Sequence, residues 1–140
     1  MIICNSEGIK MIKVKEMIAV VELVLKKIKK ADFDVSINFV SGAKIKLLNN
    51  KFRQKNKITD VLSFATLEGQ KIGVSKELGD IFICLSQIKR QAKENKIDFE
   101  EELMRMIVHG ILHLAGYDHV KNIDASMMFE LQEKIVSEFK

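Results

Sequence analysis

Apolar residues recur along this chain with two periods, and the changes between them mark out strands and helices. Met1–Cys4 is an apolar run that suits a short strand. From about Ile9 to Lys30 the period becomes helical, with Met17, Val21, Val24, Leu25 and Ile28 on one face. The valines and isoleucines favour strands, but so long a stretch without a turn signal favours a helix. Val35, Ile37 and Phe39 then alternate with Ser36 and Asn38, the period of a half-buried strand, until Ser41-Gly42 breaks it. A short helix with Ile45, Leu48 and Phe52 facing inward comes next. Val61–Leu67 and Leu78–Leu85 read as strands, the second apolar enough to be central. A loop holding Gly69 and Gly73 can join them as an antiparallel pair. Gln87–Asn95 is polar and helical.

Asp98 opens another helix and, with Glu101, resembles a capping box that uses aspartate. Phe99, Leu103, Met106, Ile107, Gly110 and Leu114 make its buried face, while Glu102 and Arg105 fall with the histidines on another. A closing amphipathic helix runs from about Ile123 to Phe139, with Met127, Leu131, Ile135 and Phe139 inward. Strands mixed with helices, without regular βαβ alternation, predict an α+β fold. No repeat or linker divides residues 1–140, and their length suits one domain. The chain has no proline, so one class of boundary signal is missing.

Composition narrows the class. Hydrophobic residues at 47% with 30% charged residues describe a soluble globule. No apolar run is long enough to span a membrane, and Met1–Cys4 is too short for a signal peptide. A cytoplasmic location is therefore expected. Cys4 and Cys84 stand in separate apolar runs, as buried free thiols would in that compartment. A net charge of +4 points weakly to an anionic partner.

The chemistry concentrates in residues 109–119, H-G-I-L-H-L-A-G-Y-D-H, which hold all three histidines. His109 and His113 are four apart, so a helix presents both from one face. Gly116 suits the left-handed conformation that ends a helix and can bring His119 round to the same ion. Three neutral imidazoles leave the fourth zinc position to water, the arrangement of a catalytic site. Imidazole suits nickel as well. The spacing is that of the metzincin peptidases, H-E-x-x-H-x-x-G-x-x-H, except that Gly110 replaces the glutamate base.

Between Ala43 and Thr59 lie six basic residues and no acidic one: Lys44, Lys46, Lys51, Arg53, Lys55 and Lys57. A charge run is ordinarily a solvated face, but beside an open metal site it becomes a candidate phosphate track. Arg53 is its best single member, because a guanidinium meets two phosphate oxygens at once.

With L-N-N-K-F-R at 48–53, T-D-V-L-S-F at 59–64, L-G-D-I-F-I-C at 78–84 and the histidine motif at 109–119, the chain resembles the YbeY endoribonucleases over nearly its whole length. The resemblance implies a mixed four-stranded sheet, one zinc held by His109, His113 and His119, and an essential arginine at Arg53. It implies single-strand-specific RNA cleavage in small-subunit ribosomal RNA maturation and ribosome quality control. RNA and the ribosome or its proteins are then the partners, with neither DNA nor membrane expected. Two positions depart from the family pattern. Ala65 stands where proline is usual, and Arg105 where many relatives carry a histidine. A cation there opposes a metal unless Glu102 pairs with it or a substrate phosphate neutralises it.

These residues predict metal-assisted phosphodiester hydrolysis, with Arg53 catalytic and Lys51, Lys55, Lys57 and Arg105 binding RNA. Asp118, Asp80 and Ser63 are candidate proton acceptors or orienting groups, and the RNA 2′-hydroxyl is a candidate nucleophile. Two other readings compete: a non-catalytic, zinc-stabilised RNA- or ribosome-binding module, and a zinc peptidase, which Gly110 disfavours.

Overall fold

Nine elements follow one another among the described residues of a computed structural model, which are 2–6, 14–65, 77–116 and 122–139, with side chains for 14–65, 77–116 and 126–139. They are β1 (Ile2–Ser6), α1 (Val14–Lys27), β2 (Asp34–Phe39), α2 (Gly42–Arg53), β3 (Val61–Ala65), β4 (Glu77–Ile83), α3 (Leu85–Asn95), α4 (Phe99–Leu114) and α5 (Asn122–Ser137). The strands form one mixed sheet in the order β1-β2-β4-β3. β1 and β2, and β2 and β4, pair in parallel, whereas β3 runs antiparallel to β4, the pairing expected of two strands joined by one loop. Parallel neighbours need a long crossover, which α1 supplies for β1 and β2.

The strand period of two divides the side chains between two faces. Ile37, Phe39, Ile81 and Ile83 pack with Val20, Val21 and Val24 of α1 and Ile107, Val108 and Ile111 of α4. Phe82, Leu62 and Phe64 belong to a smaller cluster with Val40, Ile45, Leu48 and Cys84. Cys84 is a buried free thiol, as expected. Gly79 makes the sheet's sharpest demand. Val35 pairs with Gly79 and Asp34 with Glu77, so Leu78 is the extra residue of a bulge. Gly79 has φ 143°, and a Cβ there would lie 2.2 Å from the Phe64 carbonyl oxygen.

Two predicted faces and one predicted cap differ in detail. In α2 the buried residues are Ile45 and Asn49, while Phe52 is 47% exposed and meets the Phe64 ring edge-on at 5.3 Å. In α5 the buried residues include Met128, Gln132, Ile135 and Val136, and Met127 is exposed. The pattern misleads there because a glutamine takes an inward position. Asp98 is the N-cap residue of α4, but its side chain makes no capping bond. Glu101, the other half of the expected box, pairs with Arg105 instead. Residues 9–13, 66, 67, 69 and 73, on which parts of the predicted first helix, third strand and loop fall, lie outside the described residues. Among the described residues no helix is long and apolar enough to cross a membrane.

Arg105 ties α4 to α5. Its Nε and Nη2 donate to the two oxygens of Glu133 at 2.9 and 3.0 Å. Nη2 also reaches Glu101 at 3.1 Å, and Nη1 reaches Glu102 at 3.3 Å. The Glu133 bonds, then those to Glu101 and Glu102, raise the guanidinium's affinity for its proton against the opposing effect of burial. Glu102 is only 5% exposed, so removing its cation leaves a buried carboxylate poorly compensated. Arg105→Ala is expected to lower unfolding free energy by about 3 kcal/mol, read from urea titration. A loss below about 0.5 kcal/mol would mean the cluster behaves like a solvent-exposed pair.

Candidate functional site

The two histidines of α4 lie above the edge strand of the sheet. His109 and His113 are each half-buried, with ring centroids 5.0 Å apart and planes tilted by 58°. Two imidazoles sharing one zinc at about 2.0–2.1 Å per nitrogen have centroids roughly 5 Å apart, so the pair fits the ion. His109 Nδ1 lies 2.9 Å from Oε1 of the buried Gln132, which gives that ring a polar partner on α5. Gly116, at φ 97°, turns the chain after α4 as its sequence position predicts. His119 and Asp118 lie outside the described residues. Among the described residues no cluster of three metal-ligating groups forms.

Gly110 sits between the two histidines where α4 touches the sheet. A Cβ at this position would lie 3.1 Å from Ile81 Cδ1 and 3.3 Å from Ser63 Oγ. Ser63 Oγ in turn lies 3.4 Å from the Gly110 carbonyl oxygen. The glutamate that a metzincin carries would require Ile81 and Ser63 to give way. Close packing thus favours glycine at the position where the peptidases carry their base.

A cleft of about 330 Å³ opens beside the histidines. His109 and His113 line one side, Val61, Leu62 and Ser63 of the edge strand another, and Arg53, Lys55 and Lys57 the third. Local chemistry brings the basic residues there. Ser41 accepts a hydrogen bond from Lys44 N and caps the start of α2, and Gln54 ends the helix in the left-handed region at φ 56°. Lys55 N then donates to Asn49 O, and the buried Asn49 side chain donates to Lys57 O at 3.0 Å. Arg53 Nη2 donates to Ser63 O at 2.8 Å, and its guanidinium lies 4.7 Å from the Phe64 ring centroid. Asp60 fixes the far end of the loop, accepting from Val61 N at 2.8 Å and Gln91 Nε2 at 3.1 Å.

The sequence-predicted residues thus divide. Arg53, Lys55, Lys57, Ser63, His109 and His113 share the cleft. Lys51 does not line it, and its ammonium lies over the Phe52 ring at 5.3 Å. Arg105 does not line it either, and engages three carboxylates. Asp80 is exposed on β4 outside the lining. Asn49, Asp60 and Gln132 were not anticipated as site-building residues. Asn49 had a signal, one turn after Ile45 on the inward face, whereas nothing in the local pattern marks Gln132.

Comparison with known proteins agrees with this arrangement. The profile of the family described as Endoribonuclease YbeY matches residues 2–140. The Endoribonuclease YbeY of Oenococcus oeni is 43% identical over 111 residues, covering 76% of this chain and 72% of that one. That of Sulfurihydrogenibium sp. is 42% identical over 118 residues, covering 83% and 76%. The solution structure of TM1509 from Thermotoga maritima superposes with a TM-score of 0.68 at 36% identity, covering 98% of this chain and 86% of that one. Matched along its length in sequence and fold, the chain belongs to the YbeY endoribonuclease family.

Proposed function

We propose that this protein cuts single-stranded ribosomal RNA hydrolytically in the cleft between α2 and α4, using a zinc ion held by His109, His113 and His119. Family membership makes it an endoribonuclease, a hydrolase acting on RNA in ribosomal RNA maturation. Maturation of the small-subunit RNA 3′ end, ribosome quality control, a ribosomal binding partner and a cytoplasmic location complete the proposal. The observation that carries it is the meeting of two imidazoles with Arg53, Lys55 and Lys57 around one cleft.

When bound, zinc would supply an acidified water or a polarised phosphate oxygen. The chain's own residues do the rest. Arg53 has one guanidinium nitrogen fixed on the Ser63 carbonyl, which limits its freedom while further donors remain for phosphate. It stabilises the charge that grows on the phosphate oxygens as the bond to the leaving group breaks. Lys55 and Lys57 neutralise flanking phosphates, and the Asn49 bond to Lys57 O holds their loop in place before RNA arrives. Lys51 and Arg105 stand farther from this path. The peptidase reading loses its base at Gly110.

Replacing His109, His113 or His119 by alanine is expected to lower zinc content and melting temperature together, because binding favours the folded state. Elemental analysis of the purified variants checks this, and near-stoichiometric zinc in all three would defeat the ligand assignment. Arg53→Lys keeps the charge but loses the planar fork, so single-turnover cleavage should fall about 100-fold or more while RNA binding changes little. Cleavage at the wild-type rate would leave Arg53 a purely electrostatic part. Replacing Lys55 and Lys57 together should reduce the salt slope of single-strand binding by about 0.7 for each phosphate left without its lysine. Gly110→Glu rebuilds the peptidase motif, yet it should cost about 3 kcal/mol or more of stability without creating proteolysis. Digestion of an unfolded protein substrate by folded Gly110→Glu would revive the peptidase reading.

A further inference from the structure

The contact between His109 and Gln132 does not itself say which atom holds the proton, because an imidazole has two tautomers and an amide can be turned over. The surroundings of Gln132 decide it. Glu133 receives Nε and Nη2 of Arg105 on its two oxygens, so it is an ionised carboxylate and can only accept. The Gln132 amide nitrogen lies 3.1 Å from Glu133 Oε2. Turning the amide over would set two acceptors against each other at that distance. Oε1 must therefore face His109 Nδ1, 2.9 Å away, and an amide oxygen can only accept. The proton sits on Nδ1, and the ring's lone pair is on Nε2. Gln132 is 6% exposed, so little water reaches this bond to compete.

We propose that Gln132, with its amide orientation locked by Glu133 and Arg105, is the positioning residue that sets His109 as an Nε2 ligand. The inference rests on the metal reading above and adds α5 to the site. Metal-bound histidines commonly lean on a carboxylate or a backbone carbonyl through their second nitrogen. Here a neutral amide takes that place, and the carboxylate lies one hydrogen bond farther out. Arg105, one turn before His109 on α4, anchors the far end of the chain on α5. The order Arg105, Glu133, Gln132, His109 thus begins and ends on the same helix. This gives Arg105 a use that needs no contact with RNA.

The test uses the full chain with Gln132→Leu, which keeps bulk but accepts nothing, and Gln132→Glu, which keeps an acceptor. In metal-free protein at about pH 8, above the ordinary imidazole range, nitrogen-15 shifts report the His109 tautomer. Zinc affinity is measured alongside by competition with a chelator. Wild type and Gln132→Glu should hold the proton on Nδ1. Gln132→Leu should lose that preference and bind zinc about 10–100-fold more weakly. Gln132→Leu with wild-type tautomer and wild-type affinity overturns the positioning role. If that variant fails to fold, Glu133→Gln carries the test, since it frees the amide to turn over and should weaken zinc binding in the same direction. Unchanged affinity in Glu133→Gln then overturns the proposal. A wild-type chain that binds no zinc overturns the metal reading itself, and the role of Gln132 with it.

Discussion

The contact on which this molecule depends is the approach of α4 to the sheet at Gly110. With no side chain there, the helix lies close to Ile81 and Ser63, and a Cβ would already crowd both. The same contact sets the height of His109 and His113 above the edge strand, since they flank Gly110 on the helix. Core packing and site geometry are consequently one constraint. On the helix's inner face Ile107, Val108 and Ile111 are fully buried, which fixes its rotation as firmly as Gly110 fixes its distance. The precision of the histidine pair is inherited from hydrophobic burial, which has no directionality of its own.

The edge strand β3 joins the two halves of the cleft. Its alternation sends Ser63 toward α4 and Leu62 and Phe64 toward α2, so both helices read the same short strand from opposite faces. Arg53 closes over it, donating to the Ser63 carbonyl and stacking on Phe64. Sheet edges invite pairing with other chains, and charge is a common way of discouraging it. One guanidinium here both covers the edge and stands in the cleft.

Much of this was legible in the sequence because periodicity reports burial. The alternation of Val35, Ile37 and Phe39 gave a strand, and the four-residue spacing of His109 and His113 gave a shared helical face. The motifs pointed to Arg53, which lines the cleft with Lys55 and Lys57. What escaped were polar groups whose partners lie far away in the chain. Asn49 is inward because it reaches Lys57 O, and Gln132 is inward because it reaches His109. The apolar period carries no sign of such a bond, although Asn49 at least stands one turn after the inward Ile45. The same limit turned the expected capping box at Asp98 into an ion pair between Glu101 and Arg105, since Arg105 competes for the carboxylate.

The strand order has a consequence for timing. β1, β2 and β4 pair in parallel, so each ladder closes only after a long crossover has been drawn in. The cleft takes residues 49–63 and 109–113, and His109 leans on Gln132 near the end of the chain. Contacts so distant in sequence form slowly and late in folding. A chain in which α4 has not yet docked on the sheet has its basic loop and its histidines but not the cleft that they line together. The cleft is thus a product of tertiary assembly, and neither of its two segments carries it alone.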